Sequence, residues 1–295
     1  MMNIRFWGTR GSIASPGKLT VKYGGNTSCV EVRAGKQILI FDAGTGIRDL
    51  GNQLIKEFAS QPLMTVCLFI SHTHWDHIQG FPFFMPAYAK NFQVNVYGPP
   101  ARDKSLKDLL KFQMDAEYFP VPLGDLNAQI VMQEVREPFW IGDVQITPFY
   151  VNHPAMTLAY KIFDGQKTFI YATDNEPYRY TLHAARKDSL GSQYGAELDQ
   201  KFVEFISGAD LLVSDAQYTL EEYRQKIGWG HSPIDSIVEF AIKANVKQLA
   251  LYHHDPSHND ATVDTIVQYA QKLFMTQKSS VKCAGAFEGM QITLV

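Results

Sequence analysis

The chain has 295 residues, 45% hydrophobic and 19% charged, with a formal net charge of −3. This is the balance of a globular protein long enough to bury a sizeable core, and it speaks against disorder and against a broad nucleic-acid-binding surface. Cys29, Cys67 and Cys283 are odd in number and widely spaced, which excludes a disulfide framework or a CxxC zinc site and suits reduced thiols. A strand is predicted at 4–8, running into Gly8-Thr9-Arg10-Gly11-Ser12, where the glycines permit a tight turn. Strands at 29–33 and 37–41 flank Ala34-Gly35-Lys36, a hairpin signal, and Asp42-Ala43-Gly44-Thr45-Gly46 then opens a helix over 47–58. The apolar run 66–70 reads as a buried central strand, and 94–97 as another, stopped by Gly98-Pro99-Pro100.

Residues 81–88 are apolar but broken by prolines, and suit core or a pocket wall. A helix is predicted over 101–118, then strands at 130–135, 144–151, 157–163 and 168–172. The segment 176–205 is polar and helical in composition, an elaboration beside the site. Short buried strands at 211–214 and 248–252 enclose a helix at 234–244; a helix at 261–273 and a strand at 290–295 end the chain. Two strand-rich halves, each followed by helices, predict an α/β fold, a four-layer αβ/βα sandwich. One domain over 1–295 is expected, with helical elaborations near 101–127 and 176–205. No run approaches the ~20 apolar residues of a membrane helix, and no signal peptide is visible, so the cytoplasm is the expected compartment.

Residues 71–77 read Ser-His-Thr-His-Trp-Asp-His, directly after the apolar run Val66-Cys67-Leu68-Phe69-Ile70. A buried strand therefore delivers His72, His74, Asp76 and His77 to one end of a sheet. Imidazole suits zinc, copper, iron and nickel, and carboxylate also admits manganese, so the cluster reads as a transition-metal site. Three further residues stand one or two positions beyond apolar strands: His153, Asp174 and His253. Loop residues on a rigid scaffold converge in this way.

With these residues the chain resembles the metallo-β-lactamase-fold superfamily of metallohydrolases. The likeness runs through the opening glycine loop, Phe41-Asp42-Ala43-Gly44, the HxHxDH motif, His153, Asp174 and His253. It implies two divalent metal ions, one held by His72, His74 and His153, the other by Asp76, His77 and His253, with Asp174 bridging. Ions so held activate a bridging water as hydroxide and neutralise charge on the attacked group. The histidine-rich, thiolate-free donors suit Zn2+ first and leave Mn2+ or Fe open. Asp42 is a candidate to orient a ligand imidazole, since ligating histidines usually donate their other N–H to a carboxylate or carbonyl; it could equally cap a turn.

The segments Ala209-Asp210-Leu211-Leu212-Val213-Ser214-Asp215-Ala216-Gln217-Tyr218, Gly230-His231-Ser232 and Leu251-Tyr252-His253-His254-Asp255-Pro256 look like the phosphodiesterase branch of that superfamily, which contains ribonuclease Z and cyclic-nucleotide phosphodiesterases. The resemblance makes His231, Asp215 and Asp76 the catalytic set. Asp215 would support His231, and His231 would contact the scissile phosphate and protonate the leaving oxygen. Ribonuclease Z commonly has glutamate where this chain has Asp215. The other reading of His231 is a helix-entry residue before a Ser232 cap. His254 and His258 are weaker candidates for substrate contact, and His183 is expected on the surface. Members that process transfer RNA carry a protruding basic, glycine-rich arm. Here Arg179, Arg186, Lys187 and Lys201 are balanced by Glu176, Asp188, Glu197, Asp199 and Glu204. The expected substrate is therefore a small phosphodiester, a cyclic nucleotide or related cyclic phosphate. A tRNA 3′-processing endoribonuclease and a lactone or thioester hydrolase are the alternatives. A homodimer is expected from the resemblance alone.

Overall fold

The computed structural model describes residues 1–100, 103–186 and 189–295. The first half runs β1 (Met2–Gly8), β2 (Cys29–Ala34), β3 (Gln37–Phe41), α1 (Ile47–Glu57), β4 (Met64–Phe69), the short α2 (Trp75–Ile78), β5 (Phe92–Gly98), α3 (Leu106–Gln113) and β6 (Gln129–Glu134). The second half runs β7 (Phe139–Ile141), β8 (Val144–Val151), β9 (Thr157–Phe163), β10 (Thr168–Ala172), α4 (Tyr178–Arg186), α5 (Ser189–Phe205), β11 (Leu211–Asp215), α6 (Leu220–Tyr223), α7 (Ile234–Lys243), β12 (Gln248–Tyr252), α8 (Asp260–Thr276), β13 (Lys282–Gly285) and β14 (Gln291–Leu294).

These strands form two mixed seven-stranded sheets, ordered β14-β1-β2-β3-β4-β5-β6 and β13-β12-β11-β10-β9-β8-β7. In each, a parallel half (β3 to β6, and β10 to β13) continues an antiparallel half. The strand period of two explains the layers. On β4, Val66 and Leu68 join Leu50 and Leu54 of α1 in one core, whereas Cys67 and Phe69 face the other sheet. Between the sheets Phe69 stacks on Phe41 at 5.0 Å and on Tyr97 at 5.1 Å, with Tyr160 and Tyr171 completing the packing. A third core joins the outer face of the second sheet to α5, α7 and α8 through Phe202, Ile206, Ile237 and Phe274. The result is the expected αβ/βα sandwich.

Local departures from the expected elements have local causes. The helix expected at 101–118 is α3, which starts at a capping box between Ser105 and Asp108; residues 101–102 lie outside the described residues. The segment 176–205 resolves into α4 and α5, and Lys187 and Asp188 fall outside the description. Strands β7 and β13 are unforeseen, being three and four residues long at sheet edges. Among the described residues, no helix is long and apolar enough to cross a membrane.

Candidate metal centre

The parallel strands end at the same rim, where open α/β sheets place their crevices. Asp42 follows β3, His72 follows β4, Asp174 follows β10, Asp215 ends β11 and His253 follows β12. Three of them, Asp42, Asp174 and His253, have φ of 62°, 55° and 56°. A non-glycine residue there is strained, and such strain persists where its surroundings over-determine it. The left-handed kink turns each side chain off its strand and into the rim.

The expected ligands all converge. His72, His74 and His153 form one group whose donor atoms lie within 4.8 Å of one another, and Asp76, His77 and His253 form another. Asp174 stands between them. Its Oδ2 is 3.7 Å from His72 Nε2 and 3.8 Å from His153 Nε2, and its Oδ1 is 3.4 Å from His77 Nε2 and 3.3 Å from His253 Nε2.

Whether this cluster suits metal ions can be judged from its own atoms. His72 Nε2 is buried with no hydrogen-bond partner. Buried polar atoms rarely go unpaired, so such a lone pair suits a cation. Asp42, Asp76 and Asp174 are all buried, and among the described residues their ion-pair partners are histidines rather than lysine or arginine. The protonation preferences of His72, His74, His153, Asp76 and Asp174 agree, and His77 must shed a proton to join them. Burial drives His72 and His74 below the usual imidazole range and brings His153 to about 4, so these rings are neutral donors at neutral pH. Burial alone would raise Asp76 and Asp174, but His77 and His253 hold both well below the ordinary carboxylate range. His77 is held up by Asp76, Asp174 and Asp42 against the effect of burial. The donors therefore fit two divalent cations, and the absence of thiolate among them leaves the metal's identity open.

Asp42 does orient an imidazole. Its Oδ2 accepts from His77 Nδ1 at 2.7 Å, Ser71 Oγ at 2.8 Å and Tyr171 Oη at 2.8 Å, while Oδ1 accepts from Ser71 N at 2.7 Å. Further groups in this role have no sequence signature. His153 Nδ1 donates to Gly230 O at 3.0 Å, Gln217 Oε1 lies 3.3 Å from His253 Nδ1, and Ser12 N donates to Asp76 Oδ2 at 2.7 Å. Backbone donors and acceptors look alike in every sequence, and Gln217 stood only as part of a motif.

His231 reaches the same cluster. Its Nδ1 is 3.8 Å from Asp174 Oδ2 and 3.7 Å from Asp215 Oδ2. The latter is an ion-pair distance and too long for a hydrogen bond. Asp215 accepts instead from Ser232 N at 2.8 Å and Asn175 N at 3.2 Å, so the shorter side chain supports the loop as well as the ring. Burial would lower the His231 imidazole, but Asp215, Asp174 and Asp76 raise it. Ser232 is not the cap of α7; Pro233 holds that place. His254 and His258 serve the fold: His254 donates to Ala286 O at 2.8 Å, and His258 pairs with Glu222 at 2.7 Å. His183 is exposed beside Ser192. Arg10 is fully buried, donating to Gly24 O, Asp255 O and His258 O.

The fold and cluster define a class, and a family model agrees: the chain belongs to the beta-lactamase superfamily, whose domain matches residues 37–254. It is a metal-dependent hydrolase of the metallo-β-lactamase fold, similar in sequence to proteins named ribonuclease Z. The ribonuclease Z of Picrophilus torridus is 24% identical over 301 residues, covering 92% of this chain and 91% of that relative. The metallo-beta-lactamase fold protein YhfI of Bacillus subtilis superposes with a TM-score of 0.65 at 20% identity, covering 99% of this chain and 98% of that one. The short form of human tRNase Z superposes with a TM-score of 0.61 at 17% identity, covering 99% of each chain.

Proposed function

We propose that this chain is a two-metal phosphodiesterase that cleaves RNA, with the 3′ end of a precursor tRNA as its first candidate substrate. The observation that carries the proposal is the near full-length relationship to proteins named ribonuclease Z, joined to His231, which clusters with Asp174 and His253 and which we read as the proton donor rather than a further ligand. The relatives named ribonuclease Z favour the RNA alternative over the expected cyclic-nucleotide substrate and over the lactone or thioester reading.

His72, His74 and His153 would hold one ion and Asp76, His77 and His253 the other, with Asp174 between them. Ions held there supply Lewis acidity to the phosphate and an activated water. The chain's own residues do the rest. Asp42 and Gly230 keep the protons of His77 and His153 on Nδ1, leaving Nε2 turned to the cluster. His231, raised by its carboxylate neighbours, keeps its proton closer to neutral pH and is suited to donate it to a leaving alkoxide.

One observation favours a small phosphodiester as the second reading. Helices α4 and α5, the segment where the resemblance sets the arm of tRNA-processing members, pack on the body: Phe202, Phe205 and Ile206 enter the core, and Arg179 is bound by Glu239 at 2.8 Å. Arg179 is thereby withdrawn from a salt-dependent RNA grip, which wants several cations, whereas Lys201 stays exposed. A groove of about 510 Å³ beside the centre, bounded by Thr73, Pro99, Tyr150, His153 and Met156, could take one nucleotide.

Metal-reconstituted protein assayed against precursor tRNA, cyclic AMP and cyclic GMP separates the two readings. Release of the tRNA 3′ trailer is expected; turnover of the cyclic nucleotides alone would replace the RNA reading with the second. H231A should lose ~10²–10⁴-fold on an unactivated phosphodiester and far less on bis(p-nitrophenyl) phosphate, whose leaving group needs no acid. Equal losses on both would remove the proton-donor role. A cytoplasmic homodimer is the assembly we attach to this reading, to be checked by light scattering.

A further inference from the structure

Glu176 lies two residues beyond Asp174 and is 1% exposed. Its Oε1 accepts from Tyr223 Oη at 2.7 Å and Gly228 N at 2.8 Å, and its Oε2 accepts from Gly230 N at 2.7 Å. Its backbone N–H donates to Asn152 O at 2.9 Å, and Asn152 Nδ2 returns a bond to Glu176 O at 2.9 Å. One residue therefore ties together three loops: the one carrying His153, the one carrying Asp174, and the one carrying His231.

Gly230 is where those ties meet. Its N–H is held by Glu176, its C=O accepts from His153 Nδ1 at 3.0 Å, and the next residue is His231. Its φ is 89°, and a Cβ there would run into His153 Nδ1 and Pro154. No side chain can substitute for the glycine, and a displaced Gly230 would take both histidines with it. Hydroxyl, peptide and carboxylate are all satisfied, so the carboxylate acts as a fixed three-donor anchor.

We propose that Glu176 is a positioning residue: through Gly230 it fixes the tautomer and ring of His153 and the approach of His231 to the centre. The proposal rests on the phosphodiesterase reading above. Glutamine in its place keeps the shape but has one acceptor oxygen. In either amide orientation an N–H donor faces a backbone N–H, of Gly230 or of Gly228, and one of the two bonds is lost.

The test compares wild type, E176Q and H231A, with zinc titrated calorimetrically into metal-stripped protein and rates measured on bis(p-nitrophenyl) phosphate and on an unactivated phosphodiester. E176Q should weaken zinc binding about 10-fold, the lower end for losing a partner that orients a ligand. It should also lower kcat on the unactivated substrate roughly 10-fold more than on the activated one, since misplaced proton donation matters only for a poor leaving group. Wild-type zinc affinity with wild-type rates overturns the proposal. So does an equal fall on both substrates with unchanged zinc binding and a lowered Tm, the mark of a packing role. If H231A itself shows no leaving-group dependence, the proton-donor reading fails, and the zinc titration of E176Q alone decides this inference. Should E176Q fail to fold, E176D keeps the charge, withdraws it from Gly230 by one methylene, and is judged by the same readouts.

Discussion

Replacing Asp42 with asparagine is the most direct test of how the centre is oriented. Asp42 is fully buried with φ 62°, a conformation asparagine tolerates as well as aspartate. The amide oxygen can keep the bond from Ser71 N. The amide nitrogen then faces Ser71 Oγ, Tyr171 Oη and His77 Nδ1, all within 2.8 Å of the oxygen it replaces. The two hydroxyls can rotate to accept. His77 can accept only by moving its proton from Nδ1 to Nε2, the atom turned toward Asp76 and His253. The tautomer that satisfies the new amide thus removes a donor from the metal group. Losing such a partner typically costs 10–100-fold in metal affinity, roughly 1.4–2.8 kcal/mol. Calorimetric titration of metal-stripped protein reads this directly, with the Tm of the stripped protein as the control for folding. D42N binding both ions within ~2-fold of wild type would refute the reasoning, because the tautomer would then not be set by Asp42.

G230A should be more damaging than its size suggests: the positive φ alone costs ~1–3 kcal/mol, and the methyl displaces His153, so both urea stability and zinc affinity should fall. Asp199 offers a pH test. Burial raises its carboxyl to about 6, against opposing bonds from Tyr178 N and Arg179. A carboxyl raised on folding penalises the folded state above its folded pKa, and the penalty vanishes below the ordinary aspartate range. D199N should therefore gain on wild type by up to roughly 3 kcal/mol between pH 4 and pH 7, read from urea unfolding at the two pH values. A difference that does not change with pH would show that Asp199 titrates normally.

What could be read from the chain and what could not divide along a physical line. His72, His74, Asp76 and His77 are adjacent in sequence, so their convergence needs only one strand end. His153, Asp174 and His253 were legible because a polar residue directly after a buried apolar strand has one place to go. The resemblance pairs Asp215 with His231, and the structure sets them 3.7 Å apart with the carboxylate engaged by Ser232 N and Asn175 N, which no sequence pattern shows. Peptide groups carry no sequence signature, and for the same reason Glu176 stood only as a charge to be counted. Strand β7 escaped because three residues cannot display a period of two, and β13 because Lys282-Cys283-Ala284-Gly285 carries neither alternation nor a β-branched residue.

Among the described residues, three of the six left-handed non-glycine residues stand where the two sheets must cooperate. Asp42 leaves the first sheet, Asp174 and His253 leave the second, and each does so in the left-handed region. His72 and His74 of the first sheet share one donor group with His153 of the second, as Asp76 and His77 do with His253. Neither sheet alone can assemble either group. A ligand that binds only the folded chain stabilises it in proportion to the logarithm of its concentration over Kd. Ion binding at this rim therefore draws on the packing of Phe41, Phe69, Tyr160 and Tyr171 between the sheets. The aromatic core and the metal centre are two ends of one interface: whatever loosens the first weakens the second, even where no donor is touched.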